Sequence, residues 1–356
     1  LAWYDGQRRD LPWRGECDSY RIWVSEVMLQ QTQALTVVPY YRAFLARFPT
    51  LDDLAAAPLD DVLRAWQGLG YYARARNLHA AARRIVSDNG GRIPTNYSVL
   101  RRLPGIGDYT AGAIASIAFG EAVPAVDGNV KRVLARLAQI TEDIGLSATG
   151  RRLRELAVNL VPAARPGDFN QALMDLGALV CTPQAPQCLL CPWREDCRGL
   201  AAGIHTALPV RRARAGLPHV MVAAAVIRRP DGRLLIAQRK LTAMLGGLWE
   251  FPGGKCLDGE PLADCLRREV FEELGIEIEV GDHLTTLRHS YTHFRISLHV
   301  FDCRHTGGEP QAIDCAGWRW VQPVALDDYA FPVTDRKIVA LVQAATGAEH
   351  RGGRTA

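Results

Sequence analysis

The chain has 356 residues, 48% of them hydrophobic and 22% charged, and carries a formal net charge of +4. That length exceeds one ordinary domain and predicts two or three, with the composition of a globular protein. No apolar run is long enough to span a bilayer, the first residues do not read as a signal peptide, and the mild positive charge permits a nucleic-acid partner without requiring one. Leu1 opens inside a helical pattern, so a chain trimmed at its N-terminus is expected.

Up to about residue 200 the periodicity is helical. Segments 22–48 and 59–70 place apolar residues three and four apart, and Pro49-Thr50, Pro58, Gly68 to Gly70 and Pro94-Thr95 punctuate them. No fixed-period repeat is present, which argues against a solenoid. In 25-SEVMLQQTQ-33, Glu26 falls on an otherwise apolar helix face. An unpaired carboxylate there is costly, so burial is expected to raise its pKa and leave it protonated at neutral pH. A structural salt bridge is the plainer alternative.

Further along, 103-LPGIGDYTAGAIASIAFG-120 resembles a helix-hairpin-helix motif. Gly105 and Gly107 are expected to supply backbone angles closed to larger residues, and the following helix start to present N–H groups to a phosphate. Alone, Gly-x-Gly is weak and often a plain loop. In 124-PAVDGNVKRVLARL-137, Asp127 stands just ahead of a helix, where it can cap it. Capping and catalysis are compatible, since both use an ionised carboxylate at a helix start. The hairpin's resemblance to endonuclease III-type glycosylases implies a nucleophilic lysine at position 109 in bifunctional relatives. Tyr109 stands there instead, and a phenol cannot form a Schiff base with a sugar aldehyde, so a lyase route would lack its nucleophile.

Nine cysteines is an odd number, and four of them, Cys181, Cys188, Cys191 and Cys197, share one short loop broken by Pro183, Pro186 and Pro192. Such density points to a metal site in a reducing compartment rather than a disulfide framework. A single C-x2-C pair fits a cubane better than zinc, which more often takes two such knuckles. Around 203–219 the composition turns to Pro, Gly and Arg without periodicity, as in a linker. Beyond it, 220–229 and 233–239 read as strands around Pro230-Asp231-Gly232, followed by a helix from about Leu262 to Leu274 and strands around 284–303 and 316–321. The reading is a helical first part, then an α/β or α+β domain.

Taken together, the 25–33 stretch, the hairpin, the Asp127 segment and the cysteine loop closely resemble the MutY-type adenine DNA glycosylases, over nearly the whole chain. The resemblance implies a mainly α helix-hairpin-helix glycosylase with an iron–sulfur loop, joined by a linker to an α/β Nudix-fold domain. Its expected boundaries are 1–200 for the helical region (18–122 a six-helix part, 1–17 plus 123–200 an iron–sulfur part), 201–218 for the linker and 219–345 for the second domain, with 346–356 a disordered tail. It implies a [4Fe–4S] cluster on the four cysteines and a monovalent cation at the hairpin. Glu26 becomes the general acid and Asp127 the stabiliser of an oxocarbenium-like sugar, with Tyr109 and Asn129 supporting the intermediate. Arg9, Trp13 and Gln171 match positions lining an adenine pocket. Gln31 and Tyr71 match wedge and intercalating positions that fill the gap left by a flipped base, and Thr32, Gly105 and Gly107 match further DNA contacts.

The second domain carries 254-GKCLDGEPLADCLRREVFEELGI-276, which fits the Nudix template along its length. Glu269, Glu272 and Glu273 stand at i, i+3 and i+4, so a helix puts all three on one face, suited to Mg2+ or Mn2+. Arg268 is expected to pair with one of them. In Tyr291-Thr292-His293 the family's lesion-reading loop is resembled, with Thr292 bonding an oxidised base and the Tyr291 phenol facing solvent or DNA. The implied partner is double-stranded DNA with adenine opposite 8-oxoguanine or guanine, met by a monomer with no membrane contact in a bacterial, nucleoid-associated, cytoplasmic setting. Hydrolysis of oxidised nucleotides such as 8-oxo-dGTP at the intact Nudix box is the alternative.

Overall fold

The computed structural model describes residues 1–212 and 216–352. Two compact units account for the chain: Leu1–Ala56 with Asn77–Arg214, and Ala57–Arg76 with Ala215–Ala356. The helical region expected over 1–200 is therefore interrupted, because 57–76 belongs with the second unit.

Helices come first: α1 (Ala2–Gln7), α2 (Ser19–Leu29), α3 (Ala34–Arg47), α4 (Leu51–Ala56), α5 (Leu59–Ala65), α6 (Ala73–Asn89) and α7 (Tyr97–Leu100). Then follow α8 (Asp108–Phe119), α9 (Gly128–Leu137), α10 (Ser147–Leu160), α11 (Pro166–Leu179) and α12 (Arg198–Ala201). The helical pattern of 22–48 does not form one rod. It breaks between α2 and α3, where Gln31 takes φ +57°. Asp18 caps α2 by accepting from the backbone N–H groups of Tyr20 and Arg21. Helices α8, α9, α10 and α11 share one apolar core that includes Ala113, Val130, Leu134, Leu153 and Leu173. Helix α11 comes so close to α9 that a Cβ on Gly177 would lie 2.7 Å from that of Asn129.

Segment 203–212, expected as linker, packs on this unit. Val210 O accepts from Ile144 N, Arg136 Nε donates to Leu208 O, and the Leu208 side chain is buried.

The second unit is built on a mixed sheet of β1 (His219–Arg228), β2 (Leu234–Gln238), β3 (Trp249–Glu250), β4 (Gly253–Lys255), β5 (Glu277–Ser290), β6 (Arg295–Gly307) and β7 (Gly317–Val321). Its order is β3-β2-β1-β6-β5, with β4 on β1 and β7 on β2, and β1 runs parallel to β6 in the register Val222↔Leu298. The apolar run of β1 is explained by burial on both faces. Ala223, Ala225 and Ile227 pack towards Leu266, Val270 and Leu274 of α13 (Leu262–Leu274). Ala224 and Val226 pack on the other side, with Ile338, Val339 and Val342 of α14 (Val333–Gly352). The segment 346–356, expected as a disordered tail, is helical in its backbone to Gly352; 353–356 lie outside the described residues. No helix among the described residues is long and apolar enough to cross a membrane.

Candidate active site

The first unit holds an open cleft of about 1060 Å3, lined by Arg9, Trp13, Glu26, Tyr109, Asp127 and Asn129, among others. Helix α2 delivers Glu26, which is 3% exposed. Tyr109, in the first turn of α8, donates its hydroxyl hydrogen to Glu26 Oε2 at 2.5 Å. Burial pushes the Glu26 carboxyl up; the Tyr109 hydrogen bond and Arg14 pull it back, and the Asp127 charge adds to the rise. Burial is the largest of these and favours the protonated form, against the opposing pull of the Tyr109 donor. Burial likewise raises the Tyr109 phenol well above its ordinary value.

Asp127 caps α9, as the sequence suggested: Oδ1 accepts from Val130 N at 2.7 Å and Oδ2 from Asn129 Nδ2 at 3.0 Å. Burial raises this carboxyl too, but these donors, the helix start and Arg132 all oppose the rise. Asn129 is itself held by Arg132, whose Nη2 donates to Asn129 Oδ1 at 2.9 Å. The two carboxyl groups therefore sit in contrasting surroundings, one facing a phenol and the other a set of N–H donors. Such contrast lets one fold keep an acid and an anion in the same cleft.

Three residues of this region were not singled out from sequence. Asp175, fully buried on α11, accepts from Arg14 Nη2 at 2.6 Å and Arg9 Nε at 2.8 Å. Arg14 also donates to Gln171 Oε1, so Gln171 stands behind Arg14 rather than on the cleft wall. Met174 Sδ lies 3.4 Å from Tyr109 Oη. Asp175 was detectable in principle, as a lone carboxylate in the apolar run of α11, like Glu26 in α2. Trp13 is buried edge-on against Tyr41, with ring centroids 5.4 Å apart.

At the hairpin, Gly105 has φ +72°, and a Cβ there would lie 2.5 Å from that of Asn77. Gly107 departs from expectation: its φ of −88° is open to any residue, and nothing lies within 4 Å of a Cβ built on it. What that position provides is open space at the start of α8. Gln31 and Thr32 line the cleft, with Gln31 exposed.

Cys181, Cys188, Cys191 and Cys197 line a common cavity with Val133, Leu176, Val180 and Trp193. Among the described residues no three Cys, His, Asp or Glu gather about a single-ion position. Four thiols around an apolar hollow suit a multi-iron cluster in donor chemistry. Arg136, buried to 2% exposure, ties this loop together by donating to Thr182 O, Pro183 O and Leu208 O, with Cys181 Sγ at 3.3 Å.

The second unit has its own pocket of about 380 Å3, lined by Glu250, Glu269, Glu273, Asp335, Arg239 and Tyr291, among others. The Glu269 carboxylate rests on the Gly254 backbone, in space that a Cβ there would occupy. Burial pushes Glu273 up to about 7 and Glu250 up to about 8, the latter opposed by its ion pair with Arg239. Asp335 is raised by burial to about 6. Glu272 does not join them: its side chain is largely exposed, away from the pocket lining. Arg268 does more than expected, pairing with Glu260, Glu269 and Glu272 at 2.8, 2.8 and 3.2 Å.

The Tyr291 phenol corrects another expectation. It turns inward, half-buried, with Thr334 as a hydrogen-bond partner and Phe294 5.1 Å away. Thr292 and His293 are exposed, and Thr292 Oγ1 lies 3.3 Å from the hydroxyl of Tyr71. Tyr71 is exposed and, like Gln31, takes a positive φ, here +50°. Non-glycine residues held there are strained, and such strain concentrates at functional sites.

Residues 24–159 match the HhH-GPD superfamily of base excision DNA repair proteins, and residues 223–341 match the NUDIX domain. The chain is 37% identical to an adenine DNA glycosylase of Homo sapiens, across 96% of this chain and 73% of that protein. An adenine DNA glycosylase of Arabidopsis thaliana is 35% identical, across 95% and 62% of the two chains. Among solved structures, a thermostable thymine-DNA glycosylase is 33% identical with a TM-score of 0.51, covering 56% of this chain and 93% of that one.

Proposed function

This chain belongs to the adenine DNA glycosylase family, and from that premise we propose that it excises adenine paired with 8-oxoguanine or guanine, without cutting the strand itself. It is a DNA N-glycosylase of base excision repair. The observation that carries it is the contrast between Glu26, buried against the Tyr109 phenol, and Asp127, held by N–H donors at a helix start.

Adenine leaves poorly while charge builds on its ring, so Glu26 gives its proton to N7 as the N9–C1′ bond breaks. The bonding pair goes to the base, and the sugar acquires oxocarbenium character that the Asp127 carboxylate stabilises. Water adds at C1′, oriented by Asn129 and Tyr109, and its proton returns to Glu26. Base and enzyme end the cycle balanced, with one water consumed. Arg14, fixed by Asp175 and Gln171, and Trp13 bound the pocket that takes the flipped base. The four cysteines would hold a [4Fe–4S] cluster, which when bound would cross-link the loop; catalysis stays with Glu26 and Asp127.

Tyr109 in place of an amine supports a glycosylase without lyase action. Incubation with a duplex carrying adenine opposite 8-oxoguanine should leave an abasic strand that breaks only after alkali, and borohydride should trap no covalent adduct. A trapped adduct would assign a lyase amine to the chain and defeat this part.

Recognition of the opposite base falls to Thr292, whose hydroxyl can bond an oxidised purine edge, beside the strained Tyr71 as wedge. A second reading concerns the pocket on Glu269 and Glu273. Their hard oxygen donors fit Mg2+ or Mn2+, which would neutralise a pyrophosphate there. If the pocket hydrolyses oxidised nucleoside triphosphates, the chain with Mg2+ should convert 8-oxo-dGTP to the monophosphate and pyrophosphate, and Glu273→Gln should stop it. An unconverted nucleotide retires that reading.

A further inference from the structure

The wedge tyrosine stands in a turn whose backbone is held from one specific place in the second unit. Residues 57–76 pack within that unit, and two of their side chains take both backbone polar groups of Phe331. Gln67 Oε1 accepts from Phe331 N at 3.0 Å, and Tyr72 Oη donates to Phe331 O at 3.4 Å. Phe331 is fully buried and stacked on Phe251 at 5.9 Å, so the anchor itself cannot shift without disturbing the core. Between the two clasping residues lies the turn itself. Gly68 and Gly70 have φ of +96° and +77°, followed by Tyr71 at +50°. Trp66 Nε1 donates to Gly70 O at 3.1 Å, Gly68 N donates to Tyr72 Oη at 3.3 Å, and Arg74 donates to Leu69 O and Gly70 O.

A left-handed tyrosine with an exposed ring does not keep such a conformation by itself; the surrounding structure must over-determine it. Tyr72 Oη meets both the turn at Gly68 and the core at Phe331, and so couples them. We propose that Gln67 and Tyr72 are positioning residues that hold the Tyr71 turn on the Phe331 backbone, presenting the wedge and Thr292 as one preformed reader of the opposite base. The inference rests on the wedge reading of Tyr71 given above. It adds that selectivity for an oxidised base depends on residues that touch no DNA, because the Tyr71–Thr292 spacing is set by the clasp.

The test measures dissociation constants of the whole chain for duplexes with a tetrahydrofuran abasic site opposite 8-oxoguanine or guanine. Neither duplex can be cleaved by the glycosylase reaction. Gln67→Leu, which loses one hydrogen bond, should weaken 8-oxoguanine binding by about fivefold to tenfold, and Tyr72→Phe, which loses the bonds to both Gly68 and Phe331, by at least as much, with little change for guanine. Gln67→Glu, which keeps the acceptor oxygen, should restore the ratio. In a Tyr71→Ala background neither substitution should lower the ratio further, since residues acting through a shared partner are not additive. General destabilisation would move both duplexes alike and add to Tyr71→Ala, and that result overturns the proposal. If Tyr71→Ala alone leaves the ratio unchanged, the wedge reading itself fails, which is a separate and recognisable result.

Discussion

Replacing Glu26 with glutamine should lower adenine release by about 100-fold to 10,000-fold, the range for a positioned general acid, while duplex affinity stays within a few-fold of the parent. The amide keeps the shape of the side chain and a bond to Tyr109 but has no acidic proton to give N7. The pH profile should carry the same signature. Burial raises the Glu26 pKa, so the acid form persists above the ordinary carboxylate range. The rate should fall as pH rises through that raised value. An unshifted glutamate would already be largely ionised near pH 5 to 6. In the Glu26→Gln chain the limb should vanish, since nothing there titrates with the rate. Full activity in the variant would remove Glu26 from the chemistry.

The second large effect concerns Arg136. Methionine there would fill much of the volume but leave Thr182 O, Pro183 O and Leu208 O without their charged donor. Only the Leu208 acceptor is buried, the other two being partly open to solvent. A stranded buried acceptor costs about 1–3 kcal/mol, so the stability of the helical unit should fall by about 2–4 kcal/mol. Because the same guanidinium braces the loop bearing Cys181, iron content should fall along with the denaturation midpoint. An Arg136→Met chain that melts like the parent and retains its iron would show that the loop is held by other means.

Much of this site was legible in the chain because its signals are local. A carboxylate on the apolar face of α2 marks Glu26, a cap ahead of α9 marks Asp127, and four cysteines in one loop mark the seat proposed for a cluster. The helix Leu262–Leu274 and the first two strands of the sheet emerge close to their read positions for the same reason, that periodicity is a short-range property. What escaped depends on residues brought together from afar. Arg14 and Asp175 are 161 positions apart, and Gln67 and Phe331 are 264 apart. No pattern in 57–76 announces that it packs away from its helical neighbours in sequence. Helical spacing placed Glu269, Glu272 and Glu273 on one face but could not say that Arg268 would draw Glu272 towards solvent. The inward phenol of Tyr291 likewise depends on Thr334, remote from it in sequence but lining the same pocket. Backbone strain was invisible too: the polar run 30–33 interrupts the apolar spacing but does not announce the positive φ of Gln31, where the helix breaks.

The most direct test of the central claim is the release of free adenine in a single turnover, with the whole chain in excess over a duplex bearing one adenine opposite 8-oxoguanine. The account predicts stoichiometric adenine from that duplex, slower release opposite guanine and none opposite thymine. An intact glycosidic bond opposite 8-oxoguanine, or equal release opposite thymine, would contradict it.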